Sequence, residues 1–463
     1  MNALLTKERS AAPQIDLPFE AAPPSIAVST LGQRHLVTGL FSGIGGLEVG
    51  LSRQGHRAEL MCENDAPATA VLNAHFPKTH LHGDIRELDE IPSATTLLTA
   101  GFPCQDLSQA GTTSGILGSR SGLVGEVFRL VEKHKTPWIL LENVPFMLQL
   151  GRGAAMEILA STFEKLGYRW AYRIVDARSF GLPQRRRRVY MLASNVGDPR
   201  EVLFADEAGP VESYFESRLD AVACGFYWTE GIRGLGWAVD SIPTLKGGSG
   251  LGIPSPPAIL LPSGAVVLID VRDAERLQGF PVDWTEPAEA VAKRGSRWKL
   301  IGNAVSVPAA EWLGQRLANP KAVLALNTKP HHRGSQWPTA AWNVGDGRVS
   351  VSISEWPVYV QPKPLEAFLQ FDTRSLSYRA TSGFLARTSR ASLRFPEGFI
   401  ESIKAHLARS EPLPSDANQH RLKSKRGEAA THGSEKDARA LPVRQNNRIV
   451  EDRRQIREPL AVP

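Results

Sequence analysis

Short apolar runs alternate with amphipathic stretches from residue 35 to about residue 197. This alternation predicts βα units built around a largely parallel sheet, an α/β fold. The runs that we interpret as strands are residues 36–41, 58–63, 97–100, 138–141, 172–175 and 189–193. A covering helix is predicted from four apolar residues at helical spacing: Leu123, Val127, Leu130 and Val131.

The pattern changes near residue 195 and again near residue 270. Residues 195–269 contain many glycines and several aromatic residues, which indicates an irregular inserted module. Helical periodicity then returns over residues 271–281 and 300–317, so these residues are predicted to complete the first domain.

The ends of the chain differ in composition from the middle. Residues 330–410 contain ten aromatic residues and one alternating run, which predicts a small appendage. The last 53 residues contain no Phe, Trp or Tyr and are dense in charge, so we expect them to be disordered. The predicted organisation is a disordered segment over 1–34, an α/β domain over 35–194 and 270–320, an inserted module over 195–269, an appendage over 330–410 and a disordered tail over 411–463.

Composition excludes several classes of protein. No apolar run approaches the roughly 20 residues of a membrane-spanning helix, and no signal-peptide core is found near the start, so we expect a cytoplasmic protein that binds no membrane. Cys62, Cys104 and Cys224 form no CxxC pair, which predicts free thiols and no metal site. The net charge of +6 is compatible with a polyanionic partner.

A glycine-rich turn follows the first predicted strand, in Phe41-Ser-Gly-Ile-Gly-Gly46. Such a turn lets the backbone approach a ligand closely. Glu63 ends the next strand, where a carboxylate can accept hydrogen bonds from both ribose hydroxyls. Asp84 lies where it can bind the amino group of an adenine. Together they indicate an adenosine cofactor, although either acidic residue alone also fits a capping carboxylate.

Three reactive groups are predicted at strand ends. Cys104 lies just after the run 97–100, where active sites of α/β folds form, whereas a lone cysteine is usually inert packing. Glu142 ends the run 138–141, and its alternative interpretation is again a capping carboxylate. Four consecutive arginines, residues 185–188, run into a strand, so about half of them should point inward towards anionic partners instead of forming a solvated basic patch.

Six segments in order resemble the motifs of the DNA cytosine-5 methyltransferases. They cover about residues 36–317 and comprise the glycine turn, Pro103-Cys104, Glu142-Asn-Val, Gln184-x-Arg-x-Arg, Arg276-Leu-Gln-Gly-Phe-Pro281 and Gly302-Asn-Ala-Val305. The resemblance implies a Rossmann-like class I S-adenosylmethionine-dependent methyltransferase domain with an inserted target-recognition domain. It also implies double-stranded DNA as substrate, and it fits a restriction-modification or phage-defence enzyme with possible cognate partner proteins, expected to be a monomer.

The resemblance also implies roles for individual residues. Cys104 would be the nucleophile, Glu142 would bind the N3 edge of the cytosine, Arg188 would hold its carbonyl edge, and Arg186 would support the catalytic loop or a phosphate. The implied cofactor residues are Phe41, Gly43, Gly45, Gly46, Glu63, Asp84, Ile85, Pro103 and Asn303. The implied DNA contacts are Gln105, Ser108, Arg120 and Thr244.

A cysteine and a glutamate are a sufficient pair for the covalent activation of cytosine. Its carbon 5 is not nucleophilic enough to take a methyl group until a thiolate adds to carbon 6 and an acid protonates N3. The base must also be extruded from the duplex, because stacking covers its faces. No residue stands out as the base that removes the C5 proton, and a water molecule is one candidate. The rival interpretations are a tRNA cytosine-5 methyltransferase, a catalytically silent DNA-binding regulator and a dehydrogenase.

Overall fold

The structure, a computed structural model, describes residues 33–103, 122–209, 219–248 and 254–410. Its strands are β1 Leu36–Leu40, β2 Arg57–Cys62, β3 His80–His82, β4 Leu97–Ala100, β5 Trp138–Asn143, β6 Arg169–Asp176, β7 Gln184–Arg185, β8 Arg187–Ser194, β9 Cys224–Phe226, β10 Trp237–Val239, β11 Ile242–Pro243, β12 Ala258–Leu260, β13 Val266–Leu268, β14 Asn327–Pro330, β15 Ala340–Asn343, β16 Arg348–Ser352 and β17 Arg374–Ser375.

The α-helices are short, and several are joined by single 3-10 turns. They are α1 Gly46–Arg53, α2 Ala66–His75, α3 Leu123–His134, α4 Ala154–Lys165, α5 Arg200–Leu203, α6 Val271–Arg276, α7 Ser296–Asn303, α8 Val307–Ala318, α9 Leu365–Phe368, α10 Tyr378–Thr388 and α11 Phe399–Arg409. In the described part of the chain, no helix has the length and apolar character needed to cross a membrane.

The main sheet has ten strands in the order β14-β16-β15-β6-β8-β5-β4-β1-β2-β3. The half from β5 to β3 is parallel, as the alternating pattern predicts. The carboxyl ends of these strands therefore lie along one rim. The other half is antiparallel, because β8 runs back between β5 and β6.

Helices cover both faces of this sheet. The buried face of α3 includes Val127, Leu130 and Val131, three of the four residues from which the helix was predicted. On the opposite side α8 packs against α1, and a Cβ atom at Gly50 would overlap the side chain of Ala310. Residues beyond the inserted module thus return to the first domain.

The inserted module forms most of a second sheet, in the order β10-β9-β12-β13-β17. All of its pairings are antiparallel. A separate parallel pair joins β11 to β7, with Ile242 opposite Gln184. This pair brings Thr244 and Leu245, which directly follow β11, beside the arginine run.

Residues 330–410, expected to form an appendage of their own, are instead divided between the two sheets. β15 pairs with β6, so that Ala341 lies opposite Tyr172, and β14 and β16 extend the main sheet further. β17 pairs with β13 of the small sheet. Phe384 and Phe399 from α10 and α11 pack against Phe226 there. The apolar residues of this segment therefore complete two existing cores.

Candidate active site

The glycine turn at the end of β1 has the backbone conformation that its sequence requires. Gly43 and Gly45 have φ angles of +55° and +82°, and Phe41 shares this left-handed region with φ +55°. A Cβ atom at Gly43 would meet no atom within 4 Å, so the backbone there borders open space. Helix α1 begins at Gly46 immediately after the turn.

Glu63 is tied to this turn. One carboxylate oxygen accepts a hydrogen bond from the Gly43 N–H at 2.8 Å, and the other accepts one from the Asp65 N–H at 2.8 Å. Each carboxylate oxygen has a second lone pair. Glu63 therefore fixes the turn and retains capacity to accept hydrogen bonds from a ligand.

Residues on both sides of α7 pack against the same turn. A Cβ atom at Gly46 would lie 2.8 Å from the Val305 carbonyl oxygen, and Trp284 donates its indole N–H to the Ile44 carbonyl at 2.9 Å. Asn303, at the end of α7, is exposed, and its side-chain oxygen lies against the backbone of Gly247. One region is therefore bordered by the glycine turn, by Asn303 and by Gly247.

Asp84 and Ile85 lie at the end of β3 and differ in exposure. The Asp84 carboxylate accepts hydrogen bonds from the backbone and side-chain nitrogens of Arg86 at 3.0 and 3.1 Å. The backbone hydrogen bond contributes most to holding the pKa of Asp84 below its usual value. Ile85 is buried in the main core, where it packs with apolar side chains.

Glu142 and Arg188 form an ion pair at the rim of the main sheet. The Nε of Arg188 lies 2.9 Å from a carboxylate oxygen of Glu142, and both side chains are about nine-tenths buried. The other carboxylate oxygen would be 3.6 Å from a Cβ atom at Gly101, which follows β4. Burial raises the pKa of Glu142, and the charges of Arg188 and Arg186 oppose this rise.

Asn143 links this pair to the segment that follows β4. Its side-chain amide donates to the Phe102 carbonyl at 3.0 Å, and its oxygen accepts from the Val144 N–H at 2.9 Å. The chain leading through Pro103 is therefore fixed by the neighbouring strand. Four predicted site residues lie outside the described residues, and they are Cys104, Gln105, Ser108 and Arg120.

The arginine run alternates in burial, as predicted for a strand: Arg186 is 1% exposed, whereas Arg185 and Arg187 are exposed. Arg186 does not reach an anion among the described residues. Its guanidinium donates to the carbonyls of Leu245 at 3.2 Å and Gly302 at 3.3 Å, and also to that of Ala304. Arg186, which was expected to support the catalytic loop or contact a phosphate, thus links the backbone at Leu245 to the backbone at residues 302–304.

Two glutamines extend this connection. Gln184 donates to the Leu277 carbonyl at 2.8 Å and accepts from the Leu245 N–H at 3.0 Å. Gln278 donates to the Ile301 carbonyl at 2.8 Å. The Leu245 segment is consequently held through buried hydrogen bonds to the end of α7, where Asn303 lies. The motif pattern contained both glutamines but did not indicate which backbone groups they contact.

Thr244 lies at the edge of this network. Its hydroxyl donates to the Arg185 carbonyl at 2.7 Å, and its carbonyl accepts from the hydroxyl of Tyr227 at 2.6 Å. The Nζ atom of Lys246 lies over the ring of Tyr227, 3.9 Å from the ring centroid. A threonine predicted to touch DNA is thus held by both the main sheet and the inserted module.

Replacing Arg186 with lysine is expected to destabilise the fold by about 2–4 kcal/mol, because one ammonium cannot reach three carbonyl groups and leaves buried acceptors unpaired. Chemical denaturation measures this change in the free energy of unfolding. Arg187→Lys is the matched control, since Arg187 is exposed and forms an ion pair with Glu355. Its expected cost is below about 1 kcal/mol. Equal costs for the two variants would contradict the assigned role.

Comparison with known proteins finds a matching family model and several similar chains. Residues 37–219 match the family model described as C-5 cytosine-specific DNA methylase. Type II methyltransferase M2.BsuMI of Bacillus subtilis (strain 168) is 48% identical over 384 residues, which cover 80% of this chain and 97% of that protein. Type II methyltransferase M.BsuFI of Bacillus subtilis is 35% identical over 298 residues, covering 58% of this chain and 69% of that protein. The crystal structure of S. pombe Dnmt2 methyltransferase matches at 19% identity and a TM-score of 0.44, covering 61% of this chain and 98% of that chain.

Proposed function

Because this chain belongs to the C-5 cytosine-specific DNA methylase family, we propose that it methylates carbon 5 of a cytosine flipped out of duplex DNA, through a covalent bond from Cys104 to carbon 6. The observation that carries this proposal is the buried Glu142–Arg188 pair, 2.9 Å apart, beside Gly101. Cys104 follows Gly101 by three residues. An acid and a guanidinium at that position fit the N3 and carbonyl edges of one pyrimidine.

The proposed reaction begins with the thiolate of Cys104, which adds to carbon 6 of the cytosine. Glu142 donates its proton to N3, which takes up the electron density that the addition creates. Burial raises the pKa of Glu142, and this favours uptake of the proton that the carboxyl passes to N3. Arg188 holds the base carbonyl and is already positioned by its ion pair with Glu142.

The remaining steps restore the aromatic ring. Carbon 5 forms a bond to the methyl group as the bond from that methyl to the sulfonium sulfur of the donor breaks, which would leave the donor as a neutral thioether. The C5 proton then leaves to a water molecule or another base. The electron pair of that C–H bond re-forms the C5–C6 double bond as the Cys104 sulfur departs. N3 returns its proton to Glu142, so the enzyme ends the cycle in its starting protonation state.

S-adenosylmethionine is the proposed cofactor, and it supplies an electrophilic methyl group. The open space beside Gly43 supports this choice, because a ligand can approach the backbone there without displacing a side chain. The carboxylates of Glu63 and Asp84 fit a ribose and an adenine amino group. The cofactor residues that we propose are Phe41, Gly43, Gly45, Gly46, Glu63, Asp84, Ile85, Pro103 and Asn303. Burial of Ile85 limits it to supporting the pocket wall.

Double-stranded DNA is the proposed partner, and Thr244, Gln105, Ser108 and Arg120 are proposed to contact it. The relatives are named Type II methyltransferases, which supports a role as the modification enzyme of a restriction-modification or defence system. Such an enzyme marks the DNA of its own cell at one short sequence. We propose that it acts in the cytoplasm as a monomer, alongside possible cognate partner proteins of that system.

Single-base methylation sequencing tests this function. DNA is taken from a methylation-free bacterial host that expresses the intact chain or its Cys104→Ala variant. We expect 5-methylcytosine at one short sequence with the intact chain and none with the variant, since the alanine cannot add to carbon 6. Soluble intact protein that leaves the DNA unmethylated would reject the proposal, and the host tRNA would become the next substrate to analyse.

A further inference from the structure

A buried carboxyl group below the glycine turn has no part in the proposed reaction. Glu48 lies in the first turn of α1, and only 3% of the residue is exposed. One of its oxygens accepts long hydrogen bonds from the hydroxyls of Ser42 at 3.5 Å and Thr99 at 3.4 Å. The other oxygen is buried without a hydrogen-bond partner. Buried polar atoms in native proteins are nearly always paired, so this oxygen needs an explanation.

Gly39 provides the space that this carboxyl fills. A Cβ atom at Gly39 would overlap a carboxyl oxygen of Glu48. Gly39 lies opposite Thr99 in the pairing of β1 with β4. The Glu48 carboxyl therefore sits at the boundary of these two strands, directly before the turn that contains Ser42.

Among the described residues, no Lys, Arg or His forms an ion pair with Glu48. The charged group that acts on it is the carboxylate of Glu63, which is repulsive. A buried acid without a cationic partner destabilises a fold unless a ligand or a proton compensates. In the free protein a proton can compensate this carboxyl, and a positively charged ligand group can take the place of that proton.

The strand order indicates which part of the cofactor meets Glu48. Glu63 and Asp84 follow β2 and β3, whereas Gly101 and Glu142 lie at the ends of β4 and β5. Since β1 separates these two halves, a cofactor with its adenosine on Glu63 and its methyl group facing the base held by Glu142 must cross the end of β1. Its amino-acid end then lies at the boundary of β1 and β4.

We propose that Glu48 binds the α-ammonium group of the amino-acid end of S-adenosylmethionine. This inference rests on the proposed function and adds a binding residue to it. The ammonium donates to the unpartnered oxygen of Glu48, while Ser42 and Thr99 hold the other oxygen. The carboxyl gives up its proton to solvent when the ammonium arrives, so that a neutral acid becomes one half of a buried ion pair.

Binding should therefore depend on pH. Burial raises the pKa of Glu48 to about 7, with smaller opposing effects from its hydrogen bonds. Below that pH the free protein must lose a proton to bind the ammonium, so affinity falls as pH falls. Linkage predicts about tenfold weaker binding at pH 6 than at pH 8.

Calorimetric titration with two ligands isolates this contact. S-adenosylhomocysteine carries the α-ammonium, and 5′-methylthioadenosine retains the adenosine but lacks the amino-acid end. The intact protein should show the pH dependence, and the release of a proton at pH 6, with the first ligand only. Equal pH dependence for both ligands would overturn the inference, because groups that contact adenosine act on the two alike.

Substitution gives a second, independent comparison. Glu48→Gln should weaken S-adenosylhomocysteine binding by about ten- to a hundredfold and change methylthioadenosine binding by less than about twofold, since the amide cannot carry the negative charge. Glu311→Gln on α8 is the matched control, where Glu311 pairs with Arg53 at the surface, and it should change neither affinity. A loss shared equally by both ligands would overturn the inference.

The two proposals fail in different ways. An intact protein that binds neither ligand would reject the proposed cofactor, and the role of Glu48 with it. An intact protein that binds S-adenosylhomocysteine with no proton release, and equally well at pH 6 and pH 8, would reject only the role of Glu48. The measurements on the intact protein decide the matter even where Glu48→Gln fails to fold.

Discussion

Replacing Glu142 with glutamine is expected to lower the rate of DNA methylation by about 10²–10⁴-fold, the usual contribution of a positioned general acid. Glutamine keeps the size of the side chain but has no proton to donate to N3. It also lacks the charge that holds Arg188 at 2.9 Å. The measurement is single-turnover transfer of a labelled methyl group to the duplex target.

A matched control separates this effect from a change in folding. Glu132 lies on α3 and is exposed, so Glu132→Gln should leave the rate within about twofold of the intact enzyme. Calorimetry should also find S-adenosylhomocysteine bound equally well by the Glu142→Gln variant, since Glu142 contacts the base. Near-normal turnover in that variant would remove Glu142 from the mechanism.

Truncation after Asn319 is expected to leave an insoluble or unfolded chain, although the sequence alone suggested that the later residues form an appendage. The cut removes β15, which covers the edge of β6. It also removes Trp337 and Trp342, both less than one-tenth exposed. Each buried tryptophan contributes about 3–5 kcal/mol, so their loss alone approaches the 5–15 kcal/mol by which domains of this kind are stable.

Expression and circular dichroism measure this effect. The buried Arg173 would also lose the Ser354 carbonyl, to which it now donates at 2.9 Å. Truncation after Ser410 is the control, because the residues beyond it contain no Phe, Trp or Tyr, and we expect it to remain soluble and folded. A soluble, active enzyme ending at Asn319 would show that the last strands of the main sheet are dispensable.

Local pattern predicted the elements of the fold better than their pairing. The run 97–100 coincides with β4, and the runs near β1, β2 and β5 agree within two residues at each end. β6 and β8 are longer than predicted, because residues at their ends, including Arg169 and Arg187, are also paired within the sheet. β15 could not be assigned to the main sheet, since alternation along a strand does not specify its partner. In the folded chain Trp337 packs against Trp170 and Tyr172, which are distant in sequence. Trp342 packs against Phe204, which is also distant.

The site residues divide in the same way, into those with a local signal in the sequence and those that depend on long-range contacts. Glu142 was predicted from its place at a strand end, which is a local signal. Arg188 was assigned from the resemblance to the family, whereas alternation predicted only that about half of the arginine run points inward. Arg186 was expected to have an anionic partner, yet it contacts carbonyl groups supplied by residues more than fifty positions away. Glu48 was not identified, because an acidic residue in the first turn of a helix is usually explained by the helix dipole. The Glu48 carboxyl is buried in space that a side chain at position 39 would fill. Gly39 and Glu48 come together only when the chain folds.

Covalent trapping on DNA tests whether Cys104 is the nucleophile. A duplex that carries 5-fluorocytosine at the methylated position, once sequencing has located it, is mixed with the enzyme and S-adenosylmethionine. Fluorine cannot leave carbon 5 as a proton does, so we expect a stable protein–DNA adduct whose mass spectrum maps to Cys104. An adduct on Cys62 or Cys224, or methylation of normal DNA by an enzyme that forms no adduct, would contradict it.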